Sequence, residues 1–242
     1  MNKWKVHILS IFLAVSMVFM GCSKTEKVVN KESNTNKQNS GQKVLPTLTY
    51  LAHASVKIKT SKGLVIYIDP AFGEDYSEPA DIVFITHYHA DHYILDKISK
   101  EKKYKLITPE EALKVGVPQK LEVMGIKVET VNAYNSNHSK TECVGYMLEF
   151  DGIKLYHAGD TSKIKEMEDF PSKNITYALL PMDGVYNMGP EEASEVAKII
   201  KAKYYIPIHT GADGVYNEEN IGKFKADNKI VLKPGAKLEL KE

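Results

Sequence analysis

From residue 47 onward the chain alternates short apolar runs with polar turns, and the runs have the length of strands. TLTYLA (47–52), SVKIKT (55–60) and LVIYID (64–69) predict three strands, with Gly63 in one of the turns between them. IVFIT (82–86) is a β-branched run of the fully buried kind. Further strands are expected at KLEVMG (120–125), IKVETV (126–131), VGYMLEF (144–150), IKLYH (153–157), ITYALLP (175–181) and YYIPIH (204–209). KIVLKPGAKLEL (229–240) is expected to end the chain as a strand pair around Pro234 and Gly235.

Three segments carry helical spacing instead. DHYILDKISKEK (91–102) places Tyr93, Ile94 and Ile98 on one side. TPEEALKVG (108–116) reads as a short helix with Thr108 as its cap, Pro109 in first position, Glu111 three residues on and Gly116 as its stop. GPEEASEVAKIIKAK (189–203) is the clearest, with Ala193, Val196, Ala197 and Ile200 on one face. Many strands first, then strands alternating with helices, predict an α/β fold: two mixed sheets packed face to face, helices outside.

The N-terminus reads differently. Lys3 and Lys5 precede an apolar run, Ile8 to Met20, that is short for a membrane span and ends in VFMGC. Residues 1–22 resemble a bacterial lipoprotein signal, in which Cys22 would be lipidated and become the mature N-terminus, although Phe19 stands where leucine is usual. An ordinary cleaved signal and an uncleaved anchor are the alternatives. Residues 23–43 are Lys, Asn, Ser, Thr and Gln with almost nothing to bury, so a disordered tether is expected there. The folded domain is then 44–242, on the outer face of the membrane, lipid-anchored.

Charge narrows the partners. The chain totals +1; with +2 in the leader and +3 in the tether, the domain is left near −4. There is no basic patch interleaved with aromatics, so nucleic acid is not an expected partner. All 32 basic residues are lysine, which removes the bidentate guanidinium clamp for phosphate or carboxylate. Cys143 is the only cysteine besides Cys22 and is read as a buried structural thiol, so no disulfide framework is expected. No feature of the sequence sets an oligomeric state.

The chemistry concentrates in THYHADHY (86–93), where three of the eight histidines fall. The segment follows a buried strand, so it occupies a strand end. In extended chain His87 and His89 point the same way and can reach one metal, while Asp91 and His92, in the following turn, can aim at a second point. Imidazole and carboxylate donors suit zinc, manganese, iron or nickel, zinc being expected first; with no cysteine near, a thiolate site is excluded. Further donors stand at comparable places: His138 in NSNHSK, Asp160 in YHAGDT and His209 at the end of YYIPIH.

H-x-H-x-D-H, a lone histidine, G-D-T after a strand and a strand ending in P-x-H together resemble the metallo-β-lactamase fold superfamily. Within it the likeness is to the lactonase-like, N-acylphosphatidylethanolamine phospholipase D-like hydrolase branch. YLAHASVKI looks like that branch's opening strand pair, with Ala52 in place of glycine, and YIDPAF and LPMDGVYNMGPEEA match two of its later segments. The resemblance spans about 47–240 and implies the αββα sandwich. It implies that His87, His89 and His138 hold one divalent ion, that Asp91, His92 and His209 hold a second, and that Asp160 bridges them. Asp69 is similar to the branch's support residue, which hydrogen-bonds near the ligand loop.

His53 is expected near the site, as a substrate-facing or proton-transferring group or as a structural histidine. His157 is read as a pocket or support residue, and Tyr186 and Met188 as pocket or core. The implied activity is a metal-dependent hydrolase in which hydroxide held between two ions cleaves an ester, lactone or phosphodiester bond, with Asp91 and Asp160 orienting it. Its substrate would be a small molecule or lipid-like. The rival is an exported metal-binding lipoprotein without catalysis; against it, a bridging carboxylate suits a shared water better than capture.

Overall fold

A computed structural model of the protein describes residues 44–99 and 101–242. The signal, lipidation and tether expectations for 1–22, Cys22 and 23–43 lie outside these residues. The early apolar runs form β1 (Thr47–Ala52), β2 (Ser55–Lys59), β3 (Val65–Ile68), β4 (Ile82–Phe84) and β5 (Lys105–Ile107). The first three are antiparallel neighbours, and β3, β4 and β5 run parallel. A one-turn helix α1 (Pro109–Ala112) leads into a small hairpin, β6 (Leu113–Lys114) and β7 (Val117–Pro118).

The second sheet follows: β8 (Lys120–Val123), β9 (Ile126–Asn132), β10 (Val144–Phe150), β11 (Ile153–His157), β12 (Tyr177–Pro181), then helix α2 (Pro190–Ile200) and β13 (Tyr204–Ile208). Again an antiparallel meander, β8 to β11, gives way to parallel strands, β11 to β13. After α3 (Glu218–Lys223), β14 (Lys237–Glu239) returns to pair with β1, making two six-stranded sheets among the described residues.

The sheets pack face to face. Ile58, Ile66 and Phe84 of one meet Tyr146, Leu148, Leu155 and Leu179 of the other in a single buried cluster. The outer face of the second sheet (Tyr156, Ala178, Leu180) is covered by Val196 and Ile200 of α2 and by Met167 and Phe170 of a 3₁₀ segment, Lys165–Lys173, that the sequence pattern does not announce. The expected two-sheet sandwich is therefore present, with unequal covering: over the outer face of the first sheet, Tyr67, Val83 and Ile85 are covered by Tyr76, Ala80 and Ile98, residues that lie outside any α-helix.

Three expectations are corrected. The helix expected over 91–102 is only a 3₁₀ turn, Leu95–Lys97, among the described residues. Ile94 gives its N–H to Pro70 O rather than up its own chain, and only Ile98 of the three spaced apolar residues is buried, Tyr93 and Ile94 being exposed. The strand pair expected over 229–240 does not form. The arm at Lys229–Ile230 bridges to Tyr205 while Lys237–Glu239 joins β1, and the turn between them is claimed by Tyr50, which bonds Gly235 and Ala236. The helix expected over 108–116 stops at Ala112, and Val115 and Gly116 form the tip of the β6–β7 hairpin.

Candidate metal centre

Strand ends build this site. His53 follows β1, Asp69 follows β3, His87 stands three residues past β4, Asp160 three past β11, Asp183 two past β12 and His209 directly after β13. Side chains on rigid supports thus converge at the carboxyl ends of the parallel strands of both sheets, where open α/β sheets commonly bind ligands. The turn out of the strand is sharp at three of these positions: His53, Asp69 and His209 have φ of 55°, 49° and 43°, a left-handed conformation uncommon outside glycine. Each such residue costs of order 1–3 kcal/mol, and such outliers concentrate at functional sites.

The outward nitrogens of His92, His87 and His138 each meet an oxygen within hydrogen-bond distance, and that of His209 lies close to one. Asp69, fully buried, accepts from the Thr86 N–H (2.8 Å) and hydroxyl (2.7 Å) and faces His92 Nδ1 at 2.9 Å. The Thr86 hydroxyl, its proton committed to Asp69, accepts from His87 Nδ1 at 3.0 Å. Asn135 Oδ1 already accepts two backbone N–H groups and takes His138 Nδ1 at 3.0 Å. His209 Nδ1 lies 3.0 Å from Asp183 Oδ2, a close contact rather than a well-aligned hydrogen bond. With the proton held on Nδ1, the Nε2 lone pair of each ring is free to act as a ligand.

Those Nε2 atoms gather around one carboxylate. Asp160 lies 3.3 Å from His138, 3.4 Å from His92, 3.5 Å from His209 and 4.0 Å from His87. His87 Nε2, His92 Nε2, His209 Nε2 and Asp160 Oδ1 are buried without a hydrogen-bond partner. Orphaned buried polar atoms are costly, so a cluster of them that can all act as donors to a cation fits a metal site. Three sets have ligand atoms within 4.8 Å of one another: His87, His89 and His138; His87, His92 and Asp160; His53, Asp91, His92 and His209. All seven expected ligands are thereby brought together, His89 being the exposed member and meeting His138 Nε2 through its Nδ1 at 3.2 Å.

Burial and mutual charge set the protonation of the metal-free cluster. Burial, aided by His92, pushes His87 down to about 3, and burial lowers His138 as well. For Asp160 burial would raise the carboxyl, but the adjacent His92 and His209 hold it well below the carboxylate range. His209 runs the other way: burial disfavours its charge, yet Asp160, Asp183 and Asp91 raise it to about 9. His92, between Asp160 and Asp69, is likewise raised despite burial. Protons thus occupy the places a cation would take.

His53 enters the site directly. Its Nε2 lies 3.2 Å from Asp91 Oδ2, and its ring centroid lies 3.5 Å from that of His209 with the planes tilted by 41°. His157 does not: fully buried, it sits 2.9 Å from Ala54 O through Nε2 and accepts the Gly159 N–H on Nδ1, so it ties the two sheets together behind the site rather than facing a pocket. Met188 is core, whereas Tyr186 is exposed and offers its carbonyl to Asn135 and Asn137. Cys143 is buried with its thiol toward Asp160 O, a structural position. Asp183 is the residue that sequence reasoning missed. The available signal was its place just after a strand in LPMDG, matching that of Asp160 in YHAGDT.

Comparison with known proteins agrees with this geometry. The family model described as "Beta-lactamase superfamily domain" matches residues 47–209. A metal-dependent hydrolase of Thermococcus onnurineus is 33% identical, over 79% of this chain and 98% of its own. One from Methanoculleus marisnigri is 34% identical, over 67% and 80%. Among solved structures, the metallo hydrolase Igni18 of Ignicoccus hospitalis superposes with a TM-score of 0.62 at 22% identity, covering 81% of this chain and 99% of its own, which is a likeness of fold.

Proposed function

The chain belongs to the β-lactamase superfamily domain family and is a metal-dependent hydrolase; from that premise we propose that it holds two divalent cations, zinc first, and hydrolyses an ester, lactone or phosphodiester bond at the outer face of the membrane. The observation that carries the two-ion reading is the convergence of unpartnered His87, His92 and His209 nitrogens on Asp160. His87, His89 and His138 would hold one ion, Asp91, His92 and His209 the other, and Asp160 would touch both. Bound there, the cations would lower the pKa of a water and polarise the scissile bond.

The chain's own residues do the rest. Asp91 is the one carboxylate of the cluster that solvent reaches appreciably, its side chain being 37% exposed. In this reading its Oδ2 would accept a proton from the attacking water and return it to the leaving group. His53 Nε2 donates to that same oxygen and holds it in position. Asp69, Thr86, Asn135 and Asp183 keep the rings in the productive tautomer. Lipidation of Cys22 would supply the membrane address, with residues 23–43 as tether.

Metal content of the purified full-length protein, measured by mass spectrometry, tests this reading together with a panel of lactones, esters and phosphodiesters. About two ions per chain are expected, with turnover on at least one class. Asp160→Ala should bind fewer ions and lose turnover. Near-full activity in that variant, or a chain that binds no metal under any loading, would overturn the assignment.

A further inference from the structure

Beside the metal centre lies a cleft of about 700 Å³, bounded on one side by His87, His89 and His138. Tyr88, Leu113 and Val115 supply apolar surface to it, and Glu110 and Glu142 are its carboxylates. Among the described residues that line it none is a lysine. Glu110 accepts from the Thr108 and Tyr88 hydroxyls, which hold its carboxyl below the usual range and hence ionised at neutral pH.

The tip of the β6–β7 hairpin is the telling element. Val115 has φ 55°, where a β-branched residue is an outlier, and its side chain is fully exposed. A two-residue turn with both central φ angles positive favours Asn or Asp followed by Gly. Gly116 complies, with φ 73°, and Val115 does not. The tip is also held against the opposite wall: a Cβ on Gly116 would lie 2.9 Å from Thr141 Cγ2. Strained backbone and exposed apolar surface at one residue on the rim of a catalytic cleft point to a contact made only when the cleft is filled.

We propose that this cleft takes the non-reacting arm of the substrate, that the arm is apolar and carries no negative charge, and that Val115, with Tyr88 and Leu113, is the surface it packs on. This deepens the reading of a metal-dependent hydrolase and rests on it. The cations would draw the polar, reacting end of the substrate. An anionic group further along would meet Glu110 and Glu142 with no cation in the lining to offset them. The favoured substrates are therefore esters or lactones with a hydrocarbon arm.

Three hydroxamic acids test this by calorimetry on the zinc-loaded, detergent-solubilised full-length protein: acetohydroxamic acid, hexanohydroxamic acid and an analogue of the latter ending in a carboxylate. All share a chelating head, so the arm reads the cleft. The hexyl compound should bind at least about tenfold tighter than the acetyl one and the carboxylate-ended compound at least about tenfold weaker than the hexyl one. Val115→Asn should erase most of the hexyl advantage while the melting temperature holds or rises, because asparagine suits that turn. Glu110→Gln combined with Glu142→Gln should narrow the gap between hexyl and carboxylate-ended arms. Equal affinities for all three, or preference for the carboxylate, would overturn the cleft assignment alone. Failure of acetohydroxamic acid to bind would overturn the metal-centre reading and the cleft's role with it.

Discussion

A histidine becomes a metal ligand only when its proton sits on the other nitrogen, and in this site that choice is made by residues that never reach the metal. Asp69 makes it for His92, Thr86 for His87, Asn135 for His138 and Asp183 for His209. Removing one should loosen a single ligand and leave the sandwich standing. Asp183→Ala is expected to weaken metal binding by roughly 10- to 100-fold, measured by competition with a chelating dye, with little change in far-UV circular dichroism. Proton balance gives a second expectation. In the metal-free protein His209 is raised to about 9 and so carries a proton at pH 7.5, and His92 is raised as well. Metal uptake should then release at least about one proton per chain, read from calorimetry in buffers of different ionisation enthalpy.

The sign for stability follows from the same shift. His209's raised pKa stabilises the metal-free fold fully below about pH 6.5, and that contribution is lost as pH rises through about 9. Thermal melts of stripped protein should therefore fall across that interval, and metal should remove the trend. At this scale the cluster was legible because H-x-H-x-D-H packs four of its members into six positions. Asp183 was not, since a lone aspartate before glycine looks like ordinary turn chemistry until its distance to His209 is known.

Elements were legible where one face decides their fate. α2 ends within three residues of its expected C-terminus because Ala193, Val196, Ala197 and Ile200 all face the sheet. The segment 91–102 misled because its apolar residues serve different surroundings: Ile98 the core, Tyr93 and Ile94 the exposed neighbourhood of the site. At 229–240 the turn signal was sound but its two arms belong to different sheets, which periodicity cannot show.

A tightly constrained joint lies where β11 hands the chain to Asp160. Gly159 has φ 63°, and a Cβ there would fall 2.7 Å from the carbonyl oxygen of Val144 on β10 and 3.2 Å from Thr86 Cβ. Gly159→Ala should thus cost more than about 1 kcal/mol, visible as a lowered urea midpoint, and should reduce metal occupancy by displacing Asp160.

At the scale of the whole molecule, the cluster of orphaned donors at the centre of the site implies that the metal is part of the fold's stability. A cation present at 100 times its Kd adds about 2.7 kcal/mol, or roughly 5–10 °C in Tm for a domain of this size. Stripped and reloaded protein compared by calorimetry should show that interval, and a smaller one should appear on reloading Asp160→Ala. The proposed membrane address belongs at this scale too: if Cys22 is lipidated, Cys22→Ser should move the protein from the membrane fraction to the soluble fraction and abolish incorporation of labelled palmitate.

The site draws on both sheets. His53, Asp69, His87 and His92 belong to strands or loops of the first, and His138, Asp160, Asp183 and His209 to those of the second. Neither sheet on its own supplies all the residues proposed for either ion. A bound metal therefore acts as a receipt for correct assembly: it is retained only by a chain whose two halves have met in register. For a chain carrying the export signal proposed for residues 1–22, that would tie the acquisition of activity to the meeting of the two sheets, so that a half-made molecule has no chemistry to misdirect.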